Sequence, residues 1–402
     1  MKAFGSIPPW WDAARIARAL DASKGASPCF VYDLDIVRDK VAILRTALPR
    51  DVGIHYAVKA NPHPTMIAAL AAMVDGLDIA SGGELAKVLA AAPGGHVSFA
   101  GPGKRDEEIE AAIRADVTLN LESEREATRA LAIADRLGIT PKLAVRVNPD
   151  FVLKGSGMKM GGGAAAFGVD AERTAQLVRH LIAAGADWRG FHIFAGSQAL
   201  DSDAIAATQT ATVELAGRLA DAAGATPPLV NLGGGFGIPY FAGDATVDVA
   251  LVGDRLGNTL YARAEVLRHS RFAIELGRWL VGECGVYLTR VVDRKDSRGE
   301  TFLVTDGGLH HQLAASGNFG TVVRRNYPVA VATRFTEPAI ETVNIVGCLC
   351  TPLDKLGDGV SMPRADVDDV IAVFMAGAYG ASASPAAFLG HGPASEVIVG
   401  TA

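Results

Sequence analysis

The stretch Gly53-Ile-His-Tyr-Ala-Val-Lys59-Ala-Asn-Pro62 decides how this sequence is read. Ile54, Tyr56 and Val58 alternate with smaller or polar residues, the period of a short strand. Pro62 ends it, because proline cannot donate to a ladder and biases Asn61 away from helix. Lys59 is therefore expected at the carboxyl end of a strand. No other Lys and no Arg, Asp or Glu lies between Asp51 and Asp75. In an apolar setting a lysine loses part of its preference for the charged form, and a neutral amine is what attacks a carbonyl to form a Schiff base. Taken alone, the stretch also describes a lysine that snorkels at a strand end.

Working outward, short apolar runs recur every 20 to 40 residues, at 53–58, 76–80, 96–100, 117–121, 142–147, 189–194, 229–232 and 271–275. Between them lie Ala- and Leu-rich helical patterns such as Pro64–Met73, Gly83–Ala91, Glu107–Ala115, Glu122–Leu137, Ala171–Ala184 and Ser202–Ala223. Eight strands alternating with helices predict an α/β fold, a (β/α)8 TIM-like barrel; an open doubly wound sheet gives the same alternation, but the count favours closure. Upstream, Pro28–Tyr32 reads as a strand and Asp33 as the cap of a helix with Val37, Val41 and Leu44 on one face. After about residue 278 strand-like runs take over: Gly285–Val292, Thr301–Thr305, Pro328–Ala332, Ile340–Val346 and Val370–Phe374. The expected organisation is a barrel over 28–278 and a β-rich domain over 279–402, joined by the preamble 1–27.

Composition agrees with two cores. The chain has 402 residues, 49% apolar and 20% charged, more than one core usually holds. A net charge of −6 without a basic block argues against nucleic acid. No apolar run reaches the roughly 18 residues of a membrane span, and the start lacks a signal peptide's apolar region. Four cysteines do not make a disulfide framework in so long a chain. A cytoplasmic protein is expected.

A barrel of this kind keeps its active site at the carboxyl ends of its strands. Those ends hold Lys59, Asp78 and Ser81-Gly-Gly-Glu84, Lys104, Asn120 and Glu122, Arg146, His192 with Phe194 and Ser197, Gly233–Gly237, and Glu275-Leu-Gly277-Arg278. Gly233, Gly234 and Gly235 let backbone N–H groups approach an anion, and barrels often hold phosphate after the seventh strand. A glycine-rich turn can also be only a turn. Ser197 and Arg278 add a hydroxyl and a bidentate cation, although Glu275 and Arg278 also read as an ion pair. An amine nucleophile, a phosphate cradle and a carboxylate at one barrel mouth match pyridoxal 5′-phosphate, whose ring accepts electrons when a carboxylate keeps its nitrogen protonated. No cysteine–histidine spacing fits a metal, since His310 and His311 are adjacent.

These residues resemble the fold-type III pyridoxal-phosphate decarboxylases, the group of diaminopimelate and ornithine decarboxylases, related in barrel to alanine racemase. The resemblance runs from about Pro28 to Val399, through Tyr56–Pro62, Leu77–Glu84, Gly196-Ser-Gln198, Asn231–Gly235, Glu275–Arg278 and Gly377-Ala-Tyr379. It implies that Lys59 carries the cofactor and Glu275 faces its ring nitrogen. It implies too that Ser197, Gly235 and Arg278 hold the phosphate, and that Tyr379 meets the cofactor. Cys350-Thr-Pro-Leu-Asp354 stands where the family places a cysteine that enters the partner subunit's site and returns a proton, which implies a homodimer.

Two departures matter. The stacking histidine of the family is Phe194 here, with His192 the nearest histidine; a phenyl ring stacks but moves no proton. The acid that meets a substrate's distal ammonium is Thr351, and a hydroxyl cannot neutralise a buried cation. His192, His310, His311, Arg325, Thr351 and Asp354 are candidates for the substrate side. Ser98–Arg105, Gly157–Gly163, Thr305–His311, Leu349–Asp354 and Phe388–His391 are similar to the subgroup associated with exosortase and exopolysaccharide gene clusters. That subgroup is kin to the decarboxylase of acyl-carrier-protein-bound glutamyl groups in butirosin biosynthesis. Lys104, Arg105 and Lys159 can face an acidic carrier, or are ordinary loop charges. Decarboxylation of an amino acid or of an aminoacyl carrier protein is expected. A free diaminopimelate or ornithine substrate, a racemase and a non-catalytic cofactor-binding regulator are the alternatives.

Overall fold

The computed structural model describes residues 7–155, 157–159, 161–317 and 325–401; the side chains of Met158 and Lys159, and Met160 altogether, lie outside that description. The chain forms two units, one of Val41–Gly237 with Thr246–Gly277, the other of residues up to Lys40, Ile238–Ala245 and Arg278 onward.

The first unit is a closed parallel barrel. Its strands are Val52–Ala57, Gly76–Ile79, Val97–Phe99, Thr118–Leu121, Lys142–Asn148, Asp187–Ile193, Leu229–Gly234 and Arg271–Leu276, within two residues of the expected positions. Each pairs in parallel with its successor. The eighth pairs with the first, Phe272 opposite Val52 and Leu276 opposite Tyr56, so the sheet has no free edge and the open-sheet alternative is excluded. The strands are almost continuously buried because helices cover the outer face. Local chemistry sets the helix starts. Ser81 Oγ accepts from Glu84 N–H while Glu84 accepts from Ala80 N–H at 2.6 Å, and Ser123, Asp201 and Asp248 cap the helices that follow them. The helix Val249–Tyr261 escaped the sequence reading; its glycines, Gly253 and Gly257, dilute the apolar period. Gly253 packs so tightly that a Cβ there would lie 1.9 Å from the Ala47 carbonyl oxygen.

The second unit holds an eight-stranded mixed sheet. Its long central strand, Gly285–Ser297, pairs with Glu300–Thr305 and Val370–Val373. Cys29–Asp33 joins this sheet, antiparallel to Gly285–Ser297 and parallel to Ser395–Val399. A barrel beginning at residue 28 is therefore corrected: the eight strands close on one another, with the short Val169–Asp170 pairing beside Lys142–Asn148, and Cys29–Asp33 pairs in the second sheet instead. The preamble is anchored in the same unit, where Trp11 Nε1 donates to the Glu283 carbonyl at 2.9 Å, and buried Lys40 pairs with Glu283 beneath the Trp279 ring. The excursion Ile238–Ala245 also belongs here, which no sequence pattern indicated. No helix among the described residues is long and apolar enough to cross a membrane.

Candidate active site

In the barrel unit, Lys59 follows the first strand in a short 3-10 turn, Val58–Ala60, which lifts its side chain out of the ladder; it is 48% exposed. Its Nζ lies 3.9 Å from Glu275 Oε1 and 5.7 Å from the centre of the Phe194 ring. Glu275 and His192 are both buried, and Glu275 Oε2 lies 2.9 Å from His192 Nε2. Burial raises the Glu275 carboxyl, but the hydrogen bond from His192 and the charges of Lys59 and Arg146 override it and bring it to about 2. Glu275 is thus ionised throughout the neutral range although it is fully enclosed.

The loop after the seventh strand needs its glycines. Gly233 and Gly235 take φ of +67° and +79°, and Cβ atoms there would lie 2.7 Å from the carbonyl oxygens of Ile193 and Gly196. At Gly234 a Cβ would sit 2.0 Å from the Glu275 carbonyl. Asn231 Oδ1 accepts the Gly233 N–H at 2.9 Å. Ser197 stands beside this loop in a two-residue strand paired with Met158–Lys159, which brings part of the Gly157–Gly163 segment to the same end of the barrel. Gly277 lies close to the first strand end, a Cβ there falling 3.0 Å from the Ala60 Cβ.

Two buried networks brace this end. Arg146 binds Glu122 at 2.8 Å and lies over the Phe167 ring. Glu122 also accepts N–H groups from Gly101 and Gly168, so one carboxylate ties the loops after three strands. Lys104 is buried, binding Glu126 at 2.6 Å and the carbonyls of Gly101 and Asn120. This corrects its expected place on a carrier-facing surface: a lysine whose three donors are all satisfied inside is a brace. Asp78, expected at the cofactor, is buried against His55 at 3.3 Å and Asn231 at 3.5 Å.

In the second unit, the Arg278 guanidinium lies over the rings of Tyr379, at 5.0 Å, and Tyr240, at 6.0 Å. Tyr379 takes φ +60°, a strained conformation for a bulky residue. Gly377 allows the turn, since a Cβ there would lie 1.7 Å from the Val281 carbonyl oxygen. Tyr240 stacks on Tyr327 with ring centres 5.0 Å apart. Arg325 is bound by Asp244 and the Ala242 carbonyl, each at 3.1 Å, above the Phe241 ring. Cys350 and Thr351 lie in the turn after Glu341–Val346, with Cys350 exposed and the Thr351 hydroxyl accepting from Leu353 N–H.

Asp354 and His311 are corrections. Asp354 is buried and accepts N–H groups from Leu309 at 2.7 Å and Leu349 at 2.9 Å, so backbone claims both oxygens. His311 lies 3.0 Å from the Tyr287 hydroxyl and 2.9 Å from the Gly392 carbonyl, which claims both ring nitrogens. Neither side chain is left to meet a substrate.

Residues 34–282 match the model of the pyridoxal-dependent decarboxylases, pyridoxal-binding domain. The chain belongs to the pyridoxal-dependent decarboxylases. Over 387 residues it is 33% identical to the L-glutamyl-[BtrI acyl-carrier protein] decarboxylase of Niallia circulans, covering 92% of this chain and 88% of the relative. It is 30% identical to the 2-[(L-alanin-3-ylcarbamoyl)methyl]-2-hydroxybutanedioate decarboxylase of Staphylococcus aureus, covering 90% and 91%. Among solved structures, diaminopimelate decarboxylase of Helicobacter pylori complexed with L-lysine matches with a TM-score of 0.79 at 26% identity, covering 90% and 88%.

The decarboxylase is thus a fold-type III carboxy-lyase with pyridoxal 5′-phosphate as its cofactor. Its own residues fit that group: an amine near an enclosed, ionised carboxylate, and a backbone cradle that any Cβ would fill. Sequence reasoning missed Tyr240, because nothing in Ile238–Ala245 marks it as part of the second unit. Glu122 stands at a strand end in the sequence with no role attached, since a carboxylate that ties three loops has no linear signature.

Proposed function

We propose that the decarboxylase removes the α-carboxylate from an aminoacyl group tethered to an acyl carrier protein. The observation that carries this is at Cys350–Asp354. The position of the family's ammonium-binding acid is Thr351, and the one acid of the segment, Asp354, is spent on the Leu309 and Leu349 amides. An unpaired buried ammonium costs several kcal/mol, so a substrate without a free distal amine fits better. The identity with a glutamyl carrier-protein decarboxylase supports the same reading.

In this reading Lys59 would hold the cofactor through its amine, the place where a substrate amine would exchange with it. The bound cofactor supplies an electron sink for the pair left by CO₂. Glu275, held ionised by His192, keeps the ring nitrogen protonated. Gly233, Gly234, Gly235 and Ser197 would hold the phosphate within the barrel unit, while Gly277 lets the chain pass the first strand end. Phe194 covers the ring, Arg146 adds positive potential near Glu275, and Asp78 supports Asn231 beneath the glycine loop. Tyr379 packs the Arg278 cation. In a cytoplasmic homodimer, Cys350 returns a proton to the product. Arg325, already paired with Asp244, serves the substrate only by exchanging that partner.

The test is CO₂ release from holoenzyme offered free L- and D-amino acids beside glutamyl, aspartyl and other aminoacyl carrier proteins. Turnover confined to tethered substrates supports the proposal. Rapid turnover of free lysine, ornithine or diaminopimelate overturns it, and racemisation without CO₂ would replace the reaction itself.

A further inference from the structure

The Cys348–Asp354 turn carries two cysteines, and only Cys350 has a place in the reaction. Cys348 lies in the second unit beside His310 and His391, and one ligand-capable atom from each falls within 4.8 Å of the others. We propose that Cys348, His310 and His391 form a zinc-type site with three protein ligands and a fourth position open to water.

One edge of the cluster approaches that of a tetrahedral ion, and the three ligand atoms lie within 4.8 Å of one another. Zinc bonds of about 2.3 Å to sulfur and 2.0–2.1 Å to imidazole nitrogen set a sulfur–nitrogen edge of roughly 3.6 Å. Cys348 Sγ and His391 Nε2 are 3.9 Å apart, the outer limit of a sulfur hydrogen bond and a small closure from that edge. His310 supplies an independent indication. It is 0% exposed, and both of its ring nitrogens lack a hydrogen-bond partner among the described residues. Buried polar atoms are rarely left so, because an unpaired one loses its hydration with nothing in return. Its ring lies 4.6 Å from that of His391. A cation bound by one nitrogen offsets part of that loss.

The surroundings hold each ligand through its chain neighbour. Asp354 accepts the N–H of Leu309, next to His310, and of Leu349, next to Cys348. His311 binds the carbonyl of Gly392, next to His391. Cβ atoms at Gly308 and Gly347 would each lie 2.2 Å from an Asp354 carboxylate oxygen, so the two ligand-bearing segments close on one carboxylate. This gives Asp354 and His311 a purpose that substrate binding does not. A thiolate with two neutral imidazoles is a borderline-soft set, which selects zinc over magnesium or calcium. Binding expels one proton, from the thiol to solvent.

The spacing Cys348 to His391 is 43 residues, and His310 lies 38 residues upstream of Cys348. No local motif announces such a site; the sheet assembles it. The inference does not depend on the substrate.

Holoenzyme stripped with a chelator, incubated with zinc and desalted should retain about one zinc per chain by plasma emission. X-ray absorption at the zinc edge should show one sulfur and two imidazole nitrogens. Cys348→Ser and His391→Ala should each lower retention at least tenfold while keeping the cofactor's visible absorbance, which reports a folded barrel. Cys350→Ser should retain zinc as the parent does. Failure of the parent to retain zinc, equal retention by Cys348→Ser, or a shell without sulfur would each overturn the proposal.

Discussion

His192 Nε2 lies 2.9 Å from Glu275 Oε2, and Lys59 Nζ lies 3.9 Å from the other oxygen of the same carboxylate. Two strand ends thus hold one enclosed anion between an imidazole and an amine. His192 lies within the strand Asp187–Ile193 and reaches Glu275, while Phe194, just past the strand's end, puts its phenyl ring near Lys59. The imidazole that steadies the carboxylate and the ring that faces the amine are separate residues with separate tasks.

The pH dependence follows from that pairing. Glu275 titrates near 2 in the folded chain, below the ordinary 4.5, so its ionised form contributes stability above about pH 4.5 that is lost as pH falls toward 2. His192→Ala removes the donor and lets the carboxyl rise. Over that window the variant should lose less stability than the parent, while being less stable at pH 7. Denaturant titrations at a series of pH values check this, and identical profiles would contradict it.

Lys59→Ala should remove the absorbance near about 420 nm expected of the lysine-bound cofactor and abolish turnover. The band's survival through denaturing dialysis would reassign the attachment point.

Cys350→Ala should leave that absorbance intact and lower kcat by about 10²–10⁴, the range of a positioned general acid. An unchanged rate and product profile would remove Cys350 from the reaction.

Gly235→Ala places a Cβ 2.7 Å from the Gly196 carbonyl at φ +79°. The strain should cost about 1–3 kcal/mol and weaken cofactor affinity. Gly243, at φ +84° with open space around its Cβ position, is the control: its alanine variant should leave cofactor affinity unchanged in fluorescence titration.

Lys104→Ala strands Glu126 without its buried partner and should destabilise by about 3–5 kcal/mol. Burial lowers the ammonium and raises the carboxyl despite their contact, the mark of a dry pair. Arg105→Ala, at an exposed site, should change stability by less than about 0.5 kcal/mol. Comparable melting temperatures for the two variants would return Lys104 to the surface.

The sequence by itself determined the alternation of eight strands with helices, because strand and helix periods are local; the pairing of the eighth strand with the first decided that it closes. It also marked Lys59, the glycine loop and Glu275, since strand ends face one mouth wherever the strands run parallel. Only the tertiary structure decided which charges are available for chemistry. Lys104, Asp354 and His311 look like ligand-binding groups in the linear chain, yet partners 22, 45 and 81 residues away claim them. Cys29–Asp33 looked like the barrel's neighbour and finds its ladder at Gly285–Ser297, because a closed cylinder has no edge to offer. His310, Cys348 and His391 had no common pattern until the second sheet folded them together. Local periodicity is written residue by residue, whereas the pairing of distant polar groups depends on which surfaces the folded chain shuts away from water.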